Sequence, residues 1–229
     1  MCGRMTITVT QEIAAAALPG VLIKAWHAPR YNLAPTQPVP ALLNQDPSTL
    51  AWLHWDLRAA GTGAPLINAR AETLAERPAF QHAYARQRCL IIADGFYEWP
   101  RLGGRRESGP YYFQLRDEPL MTMAGLWDRV PGPDGRDRLA CAIITTAPNE
   151  LIRPLHDRMP VILPPAQRNR WLDPREVPPE ALNELLVPFS AVAMKARQVS
   201  AYVNNVRHDD AGCLADPQPD PQGSLPGFG

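Results

Sequence analysis

The chain has 229 residues and is 45% hydrophobic, which is enough for one domain with a substantial core or for two small domains. Its 23 basic and 23 acidic residues cancel, so the composition excludes a strongly basic nucleic-acid-binding domain; a neutral protein binds nucleic acid only if its arginines cluster on one face. We find no signal peptide and no long apolar span, and we therefore expect a cytoplasmic protein.

The four cysteines, Cys2, Cys89, Cys141 and Cys213, are widely spaced along the chain. They form no CxxC pair and no cluster with histidine at zinc-ligand spacing, so we expect no metal and no other cofactor. Cys89 and Cys141 lie in apolar runs that are typical of the protein core. This use of cysteine favours a reduced, cytosolic setting.

The predicted helices and strands are short and follow one another irregularly, as the 26 prolines favour. In the first half of the chain, the apolar patterns predict a helix at 10–18, a strand at 39–43, an apolar lead-in followed by a short helical pattern within 66–80 that is broken at Pro78, and a strand at 88–93. In the second half they predict a pair of strands at 111–116 and 120–126, a strand at 139–146, a helical turn at 148–152, a strand at 159–163, helices at 164–172 and 178–187, and a late strand at 191–195.

Strands outnumber helices in this pattern, and no βαβ repeat is present. We therefore predict an α+β fold with a mixed, strongly curved, barrel-like β-sheet flanked by short helices. Residues 2–214 are predicted to form a single domain. The segment 215–229 is rich in Pro, Gly and Asp and has little to bury, which predicts a disordered C-terminal tail.

The N-terminal sequence Met1-Cys2-Gly3-Arg4 offers a chemistry that no internal cysteine has. If Met1 is removed, Cys2 carries a thiol and a free α-amine on adjacent carbons, with ordinary pKa values of about 8.5 and about 7.7–8.0. Such an aminothiol condenses with an aldehyde to an imine, which the thiol closes to a thiazolidine, or it serves as a nucleophile in acyl transfer. The alternative interpretation is that Cys2 has no chemical role.

Three polar residues beside strand ends or turns are candidates to assist this chemistry. Glu98 lies between two aromatic residues, which could desolvate its carboxyl and raise its pKa, unless the carboxyl points into solvent. His156 is suited to proton transfer near neutral pH, or it is an ordinary histidine at a helix end. Asn68 could orient a substrate or a terminal amine, or be a turn residue. Only the tertiary structure can bring residues this far apart to Cys2.

Seven segments in order carry a resemblance to a known family. They are MCGR at 1–4, RYNLAPTQ at 30–37, LINARAET at 66–73, ADGFYEWP at 93–100, AGLWDR at 124–129, IITTAPNELIRPLHDRMPVIL at 143–163 and VNNVRHDD at 203–210. Together they resemble the SOS response-associated peptidase (SRAP) family of abasic-site processing proteins, over nearly all of 2–214. The resemblance implies an SRAP-like fold and a peptidase and lyase activity in which Met1 is removed autocatalytically.

The family's activity, covalent capture of abasic sites in single-stranded DNA, implies a role for each matching residue. Cys2 would form the imine and then the thiazolidine with the aldehyde of the open-chain sugar. Asn68 would hold the terminal residue, Glu98 would act as acid and base, and His156 would assist opening of the sugar. The residues implied to contact DNA are Arg4, Asn32, Pro35, Arg70, Thr145 and Arg158. The implied protein is a monomer that associates with the nucleoid and shields the lesion during DNA damage.

One segment departs from the family pattern, which reads RWGLxPxW before the NAR motif. Here 54–61 reads HWDLRAAG, so Asp56 stands in place of Gly, and the following Pro and Trp are missing. Because this segment borders the DNA in the family, we expect Asp56 to repel phosphate. The expected consequence is a weakened or altered preference for strands and junctions, with the chemistry retained.

Two other functions stay open. An N-terminal-nucleophile amidohydrolase would use the Cys2 thiol on an amide, with the α-amine as base, and would need no aldehyde. A non-catalytic module that binds single-stranded DNA through arginine and aromatic side chains would bind intact and abasic strands equally.

Overall fold

The computed structural model describes residues 2–27, 29–58, 64–100, 109–132, 134–176 and 178–218. The α-helices are α1 (Gln11–Ala17), α2 (Pro78–Arg86) and α3 (Pro165–Trp171). The strands are β1 (Met5–Ile7), β2 (Arg30–Leu33), β3 (Pro38–Leu43), β4 (Asp46–His54), β5 (Asn68–Arg70), β6 (Arg88–Ala93), β7 (Gly95–Glu98), β8 (Tyr111–Leu115), β9 (Met121–Pro131), β10 (Asp137–Thr146), β11 (Met159–Pro160) and β12 (Met194–Gln198). Short 3-10 helices cover Ala71–Thr73, Pro179–Leu185, Ala191–Ala193, Ala201–Asn204 and Ala211–Leu214.

Five strands close into a mixed barrel. The hydrogen-bonded order runs β10-β4-β3-β6-β9 and returns to β10. Only the β4–β10 contact in this ring is parallel. Strand β6 is buried along its whole length, as its apolar run predicts, because the barrel interior and the covering helices take both of its faces. The short strands β5 and β11 pair with β10 outside the ring.

The second sheet is antiparallel and has the order β12-β8-β7-β1-β2 among the described residues. Gly95 starts β7 because a side chain there has no room: a Cβ would lie 2.2 Å from the hydroxyl oxygen of Tyr112 on the neighbouring strand β8. That hydroxyl is 2.8 Å from the Thr6 hydroxyl on β1. The glycine therefore lets the side chains of three strands meet at one point.

The predicted fold class is confirmed: the chain is α+β, with a closed barrel, a second sheet and short helices. Two details were wrong. Pro78 begins helix α2 instead of breaking a helix, because proline at the first helical position loses no hydrogen bond. The predicted pair β8 and β9 does not form, since β8 belongs to the second sheet and β9 to the barrel.

Smaller differences concern the C-terminal third. The predicted helix at 178–187 is a 3-10 helix, Pro179–Leu185, and the late strand begins at Met194 after a 3-10 turn. The strand predicted at 159–163 is only two residues long as β11. Of the predicted disordered tail, 219–229 lie outside the described residues. No helix within the described ranges is long and apolar enough to cross a membrane.

Candidate active site

Cys2 and Glu98 are brought together by the second sheet. Strands β1 and β7 pair in antiparallel fashion with Met5 opposite Phe96, and the backbone N–H of Tyr97 donates to the carbonyl of Arg4 (3.0 Å). Because the two strands run in opposite directions, Glu98 at the end of β7 returns beside the residues that precede β1. Both residues are buried, with exposures of 0% for Cys2 and 3% for Glu98. The carboxyl of Glu98 is thus desolvated and does not point into solvent, which decides between the two alternatives that the sequence left open.

Asp94 clamps the N-terminal strand onto this sheet. One of its carboxylate oxygens accepts hydrogen bonds from the backbone N–H of Thr8 (2.5 Å), from the Thr8 hydroxyl (2.5 Å) and from the N–H of Val9 (3.1 Å). The other accepts from the Thr6 hydroxyl. These charge-assisted hydrogen bonds to one buried carboxylate fix the position of the N-terminal segment along β7. They thereby also fix the position of Cys2.

Asn68 and His156 come from the edge of the barrel. Asn68 begins β5, which pairs in parallel with β10, and His156 lies in the turn that leads from β10 to β11. The side-chain amide of Asn68 donates to the backbone carbonyl of Cys2 (2.8 Å). Nε2 of His156 lies 3.8 Å from Oε2 of Glu98. The structure thus unites all four predicted residues where the barrel meets the second sheet.

The site is poorly accessible to water, and this sets its electrostatics. Burial, reinforced by the negative charge of Glu98, raises the pKa of the Cys2 thiol above its ordinary value, so the thiol keeps its proton at neutral pH. The side chains of His156 and Glu98 are 2% and 4% exposed. Nδ1 of His156 accepts a hydrogen bond from the backbone N–H of Arg158 (3.0 Å).

A cleft of about 510 Å³ opens above these residues. It is lined by Gly3, Arg4, Ala34, Pro35, Thr36, Gln37, Glu98, Trp99, His156, Asn204 and Val206. The Arg4 guanidinium lies 5.6 Å from the centre of the Trp99 ring, and the Trp99 indole N–H donates to the Asn204 side-chain oxygen (2.6 Å). We call this space the capture cleft. It joins a cation and an aromatic face above a buried acid, imidazole and thiol.

Comparison with known proteins gives a family to this arrangement. The sequence profile of the family described as SOS response associated peptidase (SRAP) matches residues 1–206. The chain belongs to the SRAP family. It is 37% identical over 222 residues to the abasic site processing protein YoaM of Bacillus subtilis (strain 168), covering 93% of this chain and 97% of YoaM.

Further relatives agree. The abasic site processing protein YoqW of the same organism is 38% identical over 217 residues, covering 91% of this chain and 96% of YoqW. A crystal structure of a protein from Bacteroides thetaiotaomicron superposes with a TM-score of 0.81 at 23% identity, covering 95% of this chain and all of that protein. The last likeness concerns the fold alone. The predicted membership of the SRAP family and the SRAP-like fold are confirmed.

Three of the residues that the SRAP resemblance implies for DNA contact lie at or behind the capture cleft. Pro35 and Arg4 line it. Arg4 also donates to the Asn32 side-chain oxygen (2.6 Å) and to the carbonyl of Val203 (2.9 Å). Asn32 is fully buried, and its amide nitrogen donates to carbonyls of the segment 203–208. Arg4 and Asn32 thus also anchor the C-terminal wall of the cleft.

The other three, Arg70, Thr145 and Arg158, lie along the β5–β10 edge of the SRAP fold. Within the described part of the chain they are outside the lining of the capture cleft. Arg70 is exposed and Thr145 is buried, with its carbonyl accepting from Arg158 (2.5 Å). Arg158 also makes a two-pronged bond to Glu72. That partner was not predicted, and its only sequence signal was an acidic residue inside the matching motif LINARAET.

The segment that departs from the SRAP pattern lines a second cleft of about 840 Å³, which we call the side cleft. Its lining residues are Thr36, His54, Asp56, Arg58, Pro131, Gly132, Asp134, Arg136, Asp137 and Arg138. Asp56 is 1% exposed and forms an ion pair with Arg138, and Arg58 lies 3.7 Å away. Arg138 and Arg58 thus compensate the charge of Asp56, which argues against the expected repulsion of phosphate. The expected change in the preference for strands and junctions stays a prediction. Positions 59–61 of the segment lie outside the described residues.

Proposed function

We propose that this chain captures abasic sites in single-stranded DNA by forming a covalent bond between Cys2 and the sugar. The supporting observation is the meeting of Cys2 with Asn68, Glu98 and His156 beneath one cleft, in a member of a family whose relatives are named abasic site processing proteins. An abasic deoxyribose in its open-chain form has an aldehyde at C1′, which is the electrophile that an N-terminal aminothiol traps.

The proposed reaction begins once Met1 has been removed. The Cys2 amine attacks C1′ to give a carbinolamine, which loses water to form the imine. Sγ then adds to the imine carbon, and the thiol proton moves to nitrogen, closing the thiazolidine. One water leaves, no atom is oxidised or reduced, and the DNA is joined to the protein. The buried thiol, held as S–H by its environment, suits this order, because the amine reacts first.

Each neighbouring group has a proposed task. Asn68 holds the carbonyl of Cys2 through its amide nitrogen, and its buried Oδ1 has no hydrogen-bond partner among the described residues. That oxygen can accept a hydrogen bond from the new amine and aim its lone pair at C1′. Glu98 and His156 move protons as the sugar ring opens and as the carbinolamine loses water.

The proposed DNA path crosses the capture cleft. Arg4 and the face of Trp99 offer a charge and a stacking surface, and Pro35 also lines the cleft. Arg70 lies on the exposed β5 edge, where a phosphate can reach it. Asn32, Thr145 and Arg158 complete the proposed contact set, with Asn32 and Thr145 acting from buried positions.

The test mixes the purified protein with a single-stranded oligonucleotide carrying one abasic site and resolves the products on a denaturing gel, with intact-mass analysis. We expect an adduct that maps to Cys2 in protein that has lost Met1. The same oligonucleotide with its aldehyde reduced to an alcohol should give no adduct. Cys2→Ala should give none either, whereas Cys141→Ala, which removes a buried thiol of β10, should crosslink normally.

Failure has three distinguishable forms. Adduct formation by Cys2→Ala at the parental rate would overturn the assignment of the nucleophile. No adduct from parental protein lacking Met1 would overturn the proposed function and turn attention to small amides as substrates. Equal binding of intact and abasic strands without any adduct would instead favour a non-catalytic DNA-binding module.

A further inference from the structure

The guanidinium of Arg158 is already hydrogen-bonded to acceptors of this chain, without any phosphate. Its two amino groups donate to the two carboxylate oxygens of Glu72 (2.7 and 2.9 Å), and one of them also donates to the carbonyl of Thr145 (2.5 Å). The side chain of Arg158 is only 12% exposed. The fork geometry of this pair fixes both the position and the orientation of the guanidinium.

Glu72 keeps its charge in this pair. The hydrogen bonds from Arg158 hold the pKa of the Glu72 carboxyl below its usual value, so the carboxylate is ionised throughout the neutral range. Glu72 follows β5, Thr145 lies in β10, and Arg158 precedes β11. One guanidinium therefore ties together the three chain segments that carry Asn68 and His156.

The backbone of the same arginine acts on His156. The N–H of Arg158 donates to Nδ1 of His156 (3.0 Å), while a carboxylate oxygen of Asp157 lies 3.0 Å from the same nitrogen. In a neutral imidazole, Nδ1 either accepts a hydrogen bond or donates one. Accepting from Arg158 leaves the proton on Nε2, whereas donating to Asp157 moves it to Nδ1. The two contacts therefore compete for the tautomer.

We propose that Glu72 is a positioning residue that decides this competition. By holding the Arg158 side chain it keeps the backbone N–H of Arg158 on Nδ1, so that the imidazole proton stays on Nε2 and faces Glu98. The side chain of Asp157 is 78% exposed and solvated. It therefore competes only weakly for Nδ1 of His156 while the Glu72–Arg158 ion pair is intact. Nε2 lies 3.8 Å from Oε2 of Glu98, a distance that substrate can close to a hydrogen bond.

The tautomer can be measured without any substrate. The imidazole ¹⁵N shifts of ¹⁵N-histidine-labelled protein distinguish a protonated nitrogen from an accepting one, and His156→Ala assigns the signal. We expect the Nε2–H form in the parental protein and a population shift towards Nδ1–H in Glu72→Gln, which loses the ionic fork. The double variant Glu72→Gln/Asp157→Asn should return towards Nε2–H, because the competing carboxylate is gone.

Matched controls decide the inference. Glu76→Gln changes an exposed glutamate four residues along the same segment and should leave the tautomer unchanged. Asp157→Asn alone should also leave it unchanged. An unchanged tautomer in a folded Glu72→Gln would overturn the proposal, and so would a shift caused by Asp157→Asn alone. If Glu72→Gln does not fold, Arg158→Lys provides the second variant, since it keeps the charge and loses the fork.

The consequence for the reaction rests on the proposed function. Glu72→Gln should slow crosslinking on the order of tenfold, as removal of an outer partner that orients a histidine does elsewhere. Its affinity for DNA with an abasic analogue that lacks the aldehyde should not fall, because the positive charge of Arg158 remains and the substitution removes a negative charge beside it. Weaker binding with an unchanged rate would overturn the positioning role. Absence of crosslinking in the parental protein would instead refute the proposed function, and the tautomer measurement would still stand.

Discussion

The capture cleft and the side cleft share Thr36 but are built on different principles. The capture cleft takes its buried groups from distant segments of two sheets, and Glu98 and His156 face each other there at 3.8 Å. The side cleft takes its charges from 54–58 and the β9–β10 hairpin, where Asp56 is paired with arginine. The first places a buried acid beside a buried imidazole, to which we assign proton transfer, whereas in the second the opposite charges form ion pairs with each other.

The departure of this chain from the SRAP pattern lies in the side cleft. Asp56 stands where the SRAP resemblance leads us to expect a glycine, and Arg138 of β10 compensates its charge. Glu98 and His156 line the capture cleft, and Cys2 and Asn68 are buried or half-buried next to them, so all four residues of the proposed chemistry are present. A buried ion pair is costly to break but adds little when compared with an apolar pair, so we expect changes in the side cleft to affect stability more than chemistry.

Among the substitutions that distinguish the two clefts, loss of the Cys2 thiol should have the largest effect. Cys2→Ala should abolish the stable thiazolidine crosslink, because the remaining α-amine forms only a hydrolysable imine. Its midpoint in urea unfolding should stay close to the parental value, because a small side chain is replaced by one only slightly smaller. A denaturing gel and an unfolding curve measured on the same preparation check both statements. Residual crosslinking at another residue would show that the capture cleft has a second nucleophile.

Removal of the acid should have the next largest effect. Glu98→Gln keeps the shape of the side chain but cannot exchange a proton, and should slow crosslinking by about 10²- to 10⁴-fold. Single-turnover rates at saturating DNA measure this step apart from binding. A parental rate in Glu98→Gln would mean that His156 or water supplies the proton.

A substitution in the side cleft is expected to change the stability of the protein and to leave the crosslinking rate unchanged. Asp56→Asn leaves Arg138 without its charged partner and should lower the free energy of unfolding by about 1–3 kcal/mol. The value lies below that of wholly buried pairs because the side chains of Arg138 and Arg58 stay 19% and 41% exposed. Urea unfolding checks it, and the crosslinking rate on an unpaired strand should not change. A slower reaction would place Asp56 in the capture chemistry.

The smallest expected effect concerns Thr36, which lines both clefts. Thr36 has a φ of +75°, a left-handed conformation that disfavours a β-branched side chain. Its N–H donates to the carbonyl of Trp55 (3.0 Å), which helps hold the turn in place. Thr36→Asn should raise the free energy of unfolding by about 1 kcal/mol, since Asn tolerates this conformation. Destabilisation would mean that the threonine side chain makes contacts worth more than the strain.

Much of the fold could be predicted from local patterns. The apolar runs of β6 and β10, the stop of α1 before Pro19-Gly20 and the α+β class follow from periodicity and turn residues that act over a few positions. Pro78 was misread because proline both ends helices and begins them, and the residues around it did not distinguish the two. The separation of β8 from β9 was missed because sheet membership depends on distant partners.

The candidate site divides in the same way. The sequence by itself identified Cys2, Asn68, Glu98 and His156 as candidate residues. Its seven ordered segments also indicated the SRAP family. Only the tertiary structure decided that the Asn68 amide holds the Cys2 carbonyl, that Asp56 is neutralised by Arg138, and that Glu72 braces Arg158. These pairs lie 66, 82 and 86 positions apart along the chain. Reactivity and periodicity belong to single residues and short segments, whereas such contacts depend on how strands that are distant in sequence are placed side by side within the barrel and against the second sheet.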